Sequence, residues 1–172
     1  AGELLVVSRG TSSVERFDVM NRTHLGTLIS SGEGGLLDPR AILVLSDGHI
    51  LVSTDEDAVL EFTGGGEFVQ ELISPDAFGL VWIRGMAERP SGAILITSSK
   101  NNAIHEFDRD TGDSLGRWDR GGLEEGYWGL GRPWSIRIGP DGDVYVSTFE
   151  ANTAVQVYEE STGLFKRRYY IL

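Results

Sequence analysis

The chain has 172 residues, with 15 Lys and Arg against 26 Asp and Glu, a formal net charge of −11 and an isoelectric point near 4.6. An acidic chain of this kind argues against a nucleic-acid surface, because phosphate binding needs a basic field. It holds no cysteine, which removes a disulfide framework and thiolate chemistry, and no run of about 18 apolar residues that would span a bilayer as a helix.

Taken in order, Leu5-Val6-Val7-Ser8 reads as a strand, followed after a polar gap by Val14-Glu15-Arg16-Phe17 and by Leu25 to Ile29. Arg40 to Leu45 begins a second cycle and runs into Asp47-Gly48, a dipeptide that tolerates the positive φ of a two-residue hairpin. Leu51 to Thr54, Val59 to Phe62 and Phe68 to Ile73 complete that cycle. The third runs Arg84 to Glu88, Ser91-Gly92, Leu95 to Ser98, Ile104 to Phe107 and Leu115 to Trp118. The fourth runs Trp134 to Ile138, Asp141-Gly142, Tyr145 to Thr148, Val155 to Tyr158 and Leu164 to Tyr170. Helical periodicity is absent, and the tally is fifteen strands.

The aromatic positions Phe17, Phe62 and Phe107 stand 45 residues apart, and Tyr158 follows 51 later. A period in this range, made only of short strands, marks a β-propeller blade. The predicted fold is therefore all-β: a propeller of about four four-stranded blades, the first lacking its inner strand. It forms one domain over 1–172, with repeats at roughly 3–48, 49–92, 93–142 and 143–172. Three closures stay open: half of a larger ring completed by a second copy as a homodimer, a fragment of a longer propeller, and a self-closed monomer.

The units Asp-Gly-His-Ile-Leu-Val-Ser-Thr (47–54), Pro-Ser-Gly-Ala-Ile-Leu-Ile-Thr-Ser (90–98) and Gly-Pro-Asp-Gly-Asp-Val-Tyr-Val-Ser-Thr (139–148) resemble NHL-type and YVTN-type propeller repeats. The segment 102–116, Asn-Ala-Ile-His-Glu-Phe-Asp-Arg-Asp-Thr-Gly-Asp-Ser-Leu-Gly, is similar to one common in bacterial members. The resemblance covers almost the whole chain and specifies the blade more than an activity. It implies binding modules on one side and lyase- or lactonase-like enzymes on the other, on rings that mostly have six or seven blades.

Propellers gather ligands where several blades converge, so the start of each inner strand is the place to look. Arg40, Arg84 and Trp134 share one repeat position there, eight residues before a hairpin glycine. Two guanidinium groups and an indole suit an anionic or aromatic ligand; the competing reading pairs each Arg with an acid of a neighbouring blade and buries Trp134 between blades. Trp82 precedes one of these strands, and Tyr127 and Trp128 stand on the longest, glycine-rich loop, so these six residues are the candidate binding set. His24, His49 and His105 fall at different phases, on a loop, a strand start and a strand, which argues against one metal centre. Asp55, Glu56 and Asp57 read as a solvated loop, and Lys166-Arg167-Arg168 as an exposed basic outer strand guarding an edge. The expected role is a noncatalytic module for a protein, peptide or small anionic ligand. No metal or other cofactor, nucleic acid or membrane partner is expected, the chain is soluble, and no feature chooses between a bacterial cytoplasm and export.

Overall fold

A computed structural model describes residues 2–75, 77–120, 129–149 and 154–170. Residues 1–76 form one compact unit and 77–172 a second. In the first unit β1 (Glu3–Ser8), β2 (Ser13–Asp18) and β3 (Thr23–Ile29) make a three-stranded antiparallel sheet. There β4 (Pro39–Val44), β5 (Ile50–Thr54), β6 (Val59–Phe62) and β7 (Phe68–Ile73) make a four-stranded one. In the second unit the third sheet is β8 (Ile83–Glu88), β9 (Ile94–Ser98), β10 (Ala103–Phe107) and β11 (Ser114–Arg117). The fourth is β12 (Pro133–Ile138), β13 (Val144–Thr148), β14 (Ala154–Tyr158) and β15 (Phe165–Tyr170).

Fifteen strands among the described residues match the predicted tally, and the first sheet lacks the inner strand as expected. Within each sheet each strand pairs with the next in sequence, so every sheet is an antiparallel meander. His24 lies inside β3, not in a loop. Among the described residues no helix is long and apolar enough to cross a membrane.

The near-continuous apolar runs have a simple cause: β5 and β9 are buried at all five positions, because both faces of their sheets are covered. In the first unit Val14 and Ile29 of one sheet pack with Ile50, Val52, Leu60 and Phe62 of the other. In the second, Leu95, Ile104 and Trp118 pack with Ile136, Val144, Val146 and Tyr158.

The turns correct the two-residue expectation. Gly48, Gly92 and Gly142 have φ of 90°, 91° and 83°, but each closes a three-residue loop. Gly48 N–H donates to Leu45 O at 3.0 Å and Leu45 N–H donates to His49 O at 2.8 Å, with the same pair of bonds at 89–93 and 139–143. A type I turn followed by a left-handed glycine gives this pattern, and Pro90 and Pro140 pre-set its first corner. The basic run on β15 also differs. Lys166 and Arg167 pair with Asp143 and Asp141 at 2.7 and 3.3 Å, and the Arg168 nitrogens are buried with its guanidinium 5.8 Å from the Phe165 and Tyr170 rings.

In the third sheet an aspartate fixes the loop between β10 and β11. Asp108 accepts from the backbone N–H of Thr111 and Asp110, both at 2.9 Å, and these bonds hold its carboxyl below the ordinary aspartate range. A depressed folded pKa gives stability that is present above the unfolded value of about 3.9 and lost as pH falls through the lower folded value. Asp108→Ala should thus lower the melting temperature at neutral pH, and the gap from wild type should narrow near pH 2.5, as read by circular dichroism melts.

Candidate functional site

The repeated Ser or Thr of the second strands has a structural task. In β4 the register slips between Pro39 and Ala41, in β8 between Ile83 and Met86, and in β12 between Pro133 and Ile136. The extra residues include Arg40, Arg84 and Trp134. A bulge re-aims the side chain it carries, which is why bulges recur beside functional sites. Hydroxyls span the bulges: Ser53 Oγ accepts from Ala41 N–H at 3.1 Å, Ser147 Oγ accepts from Ser135 N–H at 3.0 Å, and Thr97 Oγ1 donates to Gly85 O at 3.3 Å. The residues just before these strands, Asp38, Trp82 and Arg132, all have positive φ, of 44°, 61° and 45°. Left-handed backbone at a non-glycine residue is strained, and its repetition before three bulges shows that each sheet enforces it.

In the second unit these devices converge on one cation–aromatic cluster. The Arg84 guanidinium carbon lies 5.6 Å from the Trp82 ring centroid and 5.2 Å from that of Trp134. Lys100 Nζ and the Arg132 guanidinium carbon each lie 5.6 Å from the Trp82 ring. Trp134 also packs on Phe149, with centroids 5.6 Å apart. The rings stay open to solvent: Trp82 is 37% exposed and Trp134 45%.

Backbone bonds fix the three loops that carry these side chains. Ser99 N–H donates to Trp82 O at 3.1 Å, Lys100 N–H to Val81 O at 3.2 Å, Arg132 N–H to Asn102 Oδ1 at 2.8 Å and Phe149 N–H to Arg132 O at 3.0 Å. Asn101 adds a side-chain bond to Gly79 O. Three positive groups ranged about one indole can meet a negative group, while the rings offer flat apolar walls.

Arg40 does something else in the first unit. Its Nε donates to Asp55 Oδ1 at 2.7 Å, and Asp55 also meets Arg9 at 3.3 Å, which in turn lies 3.4 Å from Asp38. Arg40 thus pairs with an acid of its own sheet rather than of a neighbour; Asp55 and Glu56 are exposed in a turn as expected, Asp55 carrying this ion network, while Asp57 is buried. A cavity of about 200 Å³ sits there, lined by Leu37, Asp38, Thr54 and Asp55 among others. In repeat phase Asp55 corresponds to Ser99 in the third sheet and Phe149 in the fourth. One substitution pattern therefore turns an ion network into an aromatic platform.

Of the six predicted residues, the structure brings Trp82, Arg84 and Trp134 together and places Arg40 in the acid-paired network. Tyr127 and Trp128 lie outside the described residues. Trp134 does not fill the space between blades. Lys100, Arg132 and Phe149 were missed, although the repeat phase that selects Arg84 also places Lys100 and Phe149 just after the second strands. A cavity of about 490 Å³ in the second unit lies away from this cluster at the turns of the third sheet, where its lining Arg89 is already tied to Glu106 and Glu160.

The histidines are engaged separately. His24 bonds Glu15 at 2.7 Å and His49 bonds Glu61 at 2.6 Å. Burial pushes the His105 pKa below its ordinary value, which favours the neutral ring. Among the described residues no group of three or more His, Cys, Asp or Glu could hold a metal ion.

No protein-family profile matches the chain. NHL repeat-containing protein 3 of Mus musculus is 33% identical over 115 residues, and that of Homo sapiens 34%; the match takes 66% of this chain but only 26% of either relative. Among solved structures, a protein named as a gluconolactonase is 19% identical with a TM-score of 0.75, covering 98% of this chain and 60% of that one. Virginiamycin B lyase from Staphylococcus aureus is 17% identical with a TM-score of 0.66, covering 99% and 52%. A chain of a nidogen/laminin complex is 16% identical with a TM-score of 0.72, covering 98% and 60%. At these identities the structural likeness is one of fold, and it extends to enzymes and to a protein complex alike. With sequence relatives of the same repeat type and a fold shared with propellers, the chain is built from NHL-type β-propeller repeats.

Proposed function

We propose that the chain is a noncatalytic binding module that captures a carboxylate-bearing peptide on the Trp82–Arg84–Trp134 face. The observation that carries this reading is the Arg84 guanidinium, set against two half-exposed indoles with Lys100 and Arg132 beside the same Trp82 ring. A guanidinium flanked by rings keeps its plane, so its N–H groups lose little freedom on meeting a carboxylate. Tryptophan and arginine are also the side chains on which binding energy concentrates. The separate engagement of the histidines supports binding over turnover.

The test is a peptide-display selection on immobilised protein, followed by affinity measurement on wild type and Arg84→Ala. Enriched peptides should be rich in Asp and Glu. The variant should bind them about tenfold or more weakly, since a hydrogen bond to a charged group contributes about 1.5–3 kcal/mol. Unchanged affinity in the variant would sink the reading. Turnover by wild type of a panel of lactones and esters would favour instead an activity of the kind named for two of the fold neighbours.

A further inference from the structure

We propose that the Trp82–Arg84–Trp134 site has two unlike ends, set by Lys100 and Phe149. Its ligand is then an extended peptide with acidic residues at one end and an aromatic residue at the other. This rests on the reading of Arg84 as the seat of a carboxylate and adds the chemistry on either side of it. The observation is the order of contacts along the site. Lys100 Nζ meets the Trp82 ring, Arg84 lies against both Trp82 and Trp134, and Phe149 packs on Trp134, each step measuring between 5.2 and 5.6 Å.

The Trp82 end carries a cation that is open to a ligand. Lys100 is exposed, and among the described residues its ammonium meets the indole and no carboxylate. At an exposed site a contact of this kind is a weak tether. Lys100 stands two residues beyond the end of β9, and the same place after β5 holds Glu56, so the charge reverses between repeats. A blade that folds with either charge does not need this one for its own stability.

The Trp134 end is apolar. Phe149 lies one residue beyond β13, is 62% exposed, and its ring is tilted 34° to that of Trp134. The same place after β5 and β9 holds Asp55 and Ser99, so an aromatic residue here is no rule of the repeat. Its N–H donates to Arg132 O at 3.0 Å, which fixes the backbone and leaves the ring free to meet a ligand. Two tilted, solvent-open rings make a wall for a third, because aromatic pairs prefer tilted or offset contacts at about 4.5–7 Å between centroids.

Side chains two residues apart in an extended peptide point the same way, about 6.5 Å from each other. That interval is close to one contact step of the site. A carboxylate on Arg84 therefore sends its same-side neighbours towards Lys100 in one direction and towards Phe149 in the other. An acid on the first and an aromatic ring on the second match the two ends. The opposite order would set a carboxylate against the negative face of the Phe149 ring.

The probes are two acetylated, amidated peptides, one built on Glu-Ser-Glu-Ser-Phe and one with Ala in place of Phe, each made in both chain directions. Titration calorimetry gives their affinities for wild type, Lys100→Ala, Phe149→Ala and Arg84→Ala. In the better direction wild type should bind the Phe peptide about tenfold more tightly than the Ala peptide, the factor expected for partial burial of a phenyl ring. Phe149→Ala should lose that preference. Lys100→Ala should weaken both peptides about threefold, as for an exposed ion pair, and keep the preference. Both residues are exposed, so the circular dichroism spectrum should not change. Equal binding of the two peptides by wild type overturns the proposal, as does a preference that survives Phe149→Ala or an unchanged affinity in Lys100→Ala. If Arg84→Ala still weakens both peptides in that case, the carboxylate reading stands without it; if Arg84→Ala changes neither, that reading falls as well. Should wild type bind neither peptide, the proposal falls, and the display selection decides the carboxylate reading separately.

Discussion

Gly163→Ala should destabilise the second unit by about 3 kcal/mol or more, seen as a lower urea midpoint. Two terms add. Gly163 has φ of +71°, a backbone region that costs a side-chain-bearing residue about 1 kcal/mol. A Cβ there would also stand 2.0 Å from Trp118 O, which is backbone and cannot swing aside. The loop is held on both sides: Gly163 N–H donates to Glu159 O at 2.9 Å, and Arg120 N–H donates to Gly163 O at 2.9 Å. The third and fourth sheets must therefore part, or the loop must break. The control is Gly142→Ala, where φ is +83° but nothing lies within 4 Å of the added Cβ. That variant should lose only the backbone term, about 1 kcal/mol. Equal losses in the two variants would show that close approach is not what the glycine provides. Gly66, with φ of +88° and Leu28 O at 2.3 Å, repeats the arrangement in the first unit.

Arg89→Met should cost about 2–4 kcal/mol, because it strands two carboxylates that share one cation. Arg89 Nε donates to Glu160 Oε1 at 2.5 Å and its Nη2 to Glu160 O at 2.8 Å, while Nη1 bonds Glu106. The side chain is 13% exposed, so water screens the trio weakly. One residue thus ties the hairpin turn of the third sheet to β10 and to a loop of the fourth. Adding Glu106→Gln to Arg89→Met should recover part of the loss, since it removes one stranded charge. A double-mutant cycle by urea denaturation measures that coupling. A cost below about 1 kcal/mol with no coupling would mean that the trio behaves as an exposed ion pair.

The strand plan was legible because it rests on short-range rules. Alternating and continuous apolar runs, punctuated by Asp-Gly and Ser-Gly, placed all fifteen strands within a residue or two of their observed bounds. The turn length was misjudged because the left-handed glycine is shared by two-residue and three-residue hairpins. Only the backbone bonds from Leu45 to His49 and from Gly48 to Leu45 separate them. Repeat phase gave Arg84 and Trp134 one position, at which the structure sets their side chains 5.2 Å apart. It treated Arg40 as their equal, because an inner-strand position says nothing of the acid fifteen residues on that ties Arg40 down.

The run Lys166-Arg167-Arg168 shows the same limit. Its composition suggested an exposed basic strand; Lys166 is exposed, but it and Arg167 meet acids at the neighbouring hairpin turn, and Arg168 has buried nitrogens against aromatic rings.

By itself the sequence determined the class of fold, the order and number of strands, the absent inner strand of the first sheet and the repeat position at which function would be sought. These follow from side-chain period and backbone preference, both of which act within a few residues. Tertiary structure decided which members of that position come together with aromatic rings and which with acids. Whether a bulged arginine meets a carboxylate, as Arg40 does, or two indoles, as Arg84 does, depends on what the loops bring within about 6 Å of it, a distance set by sheet packing and not by the chain's local sequence.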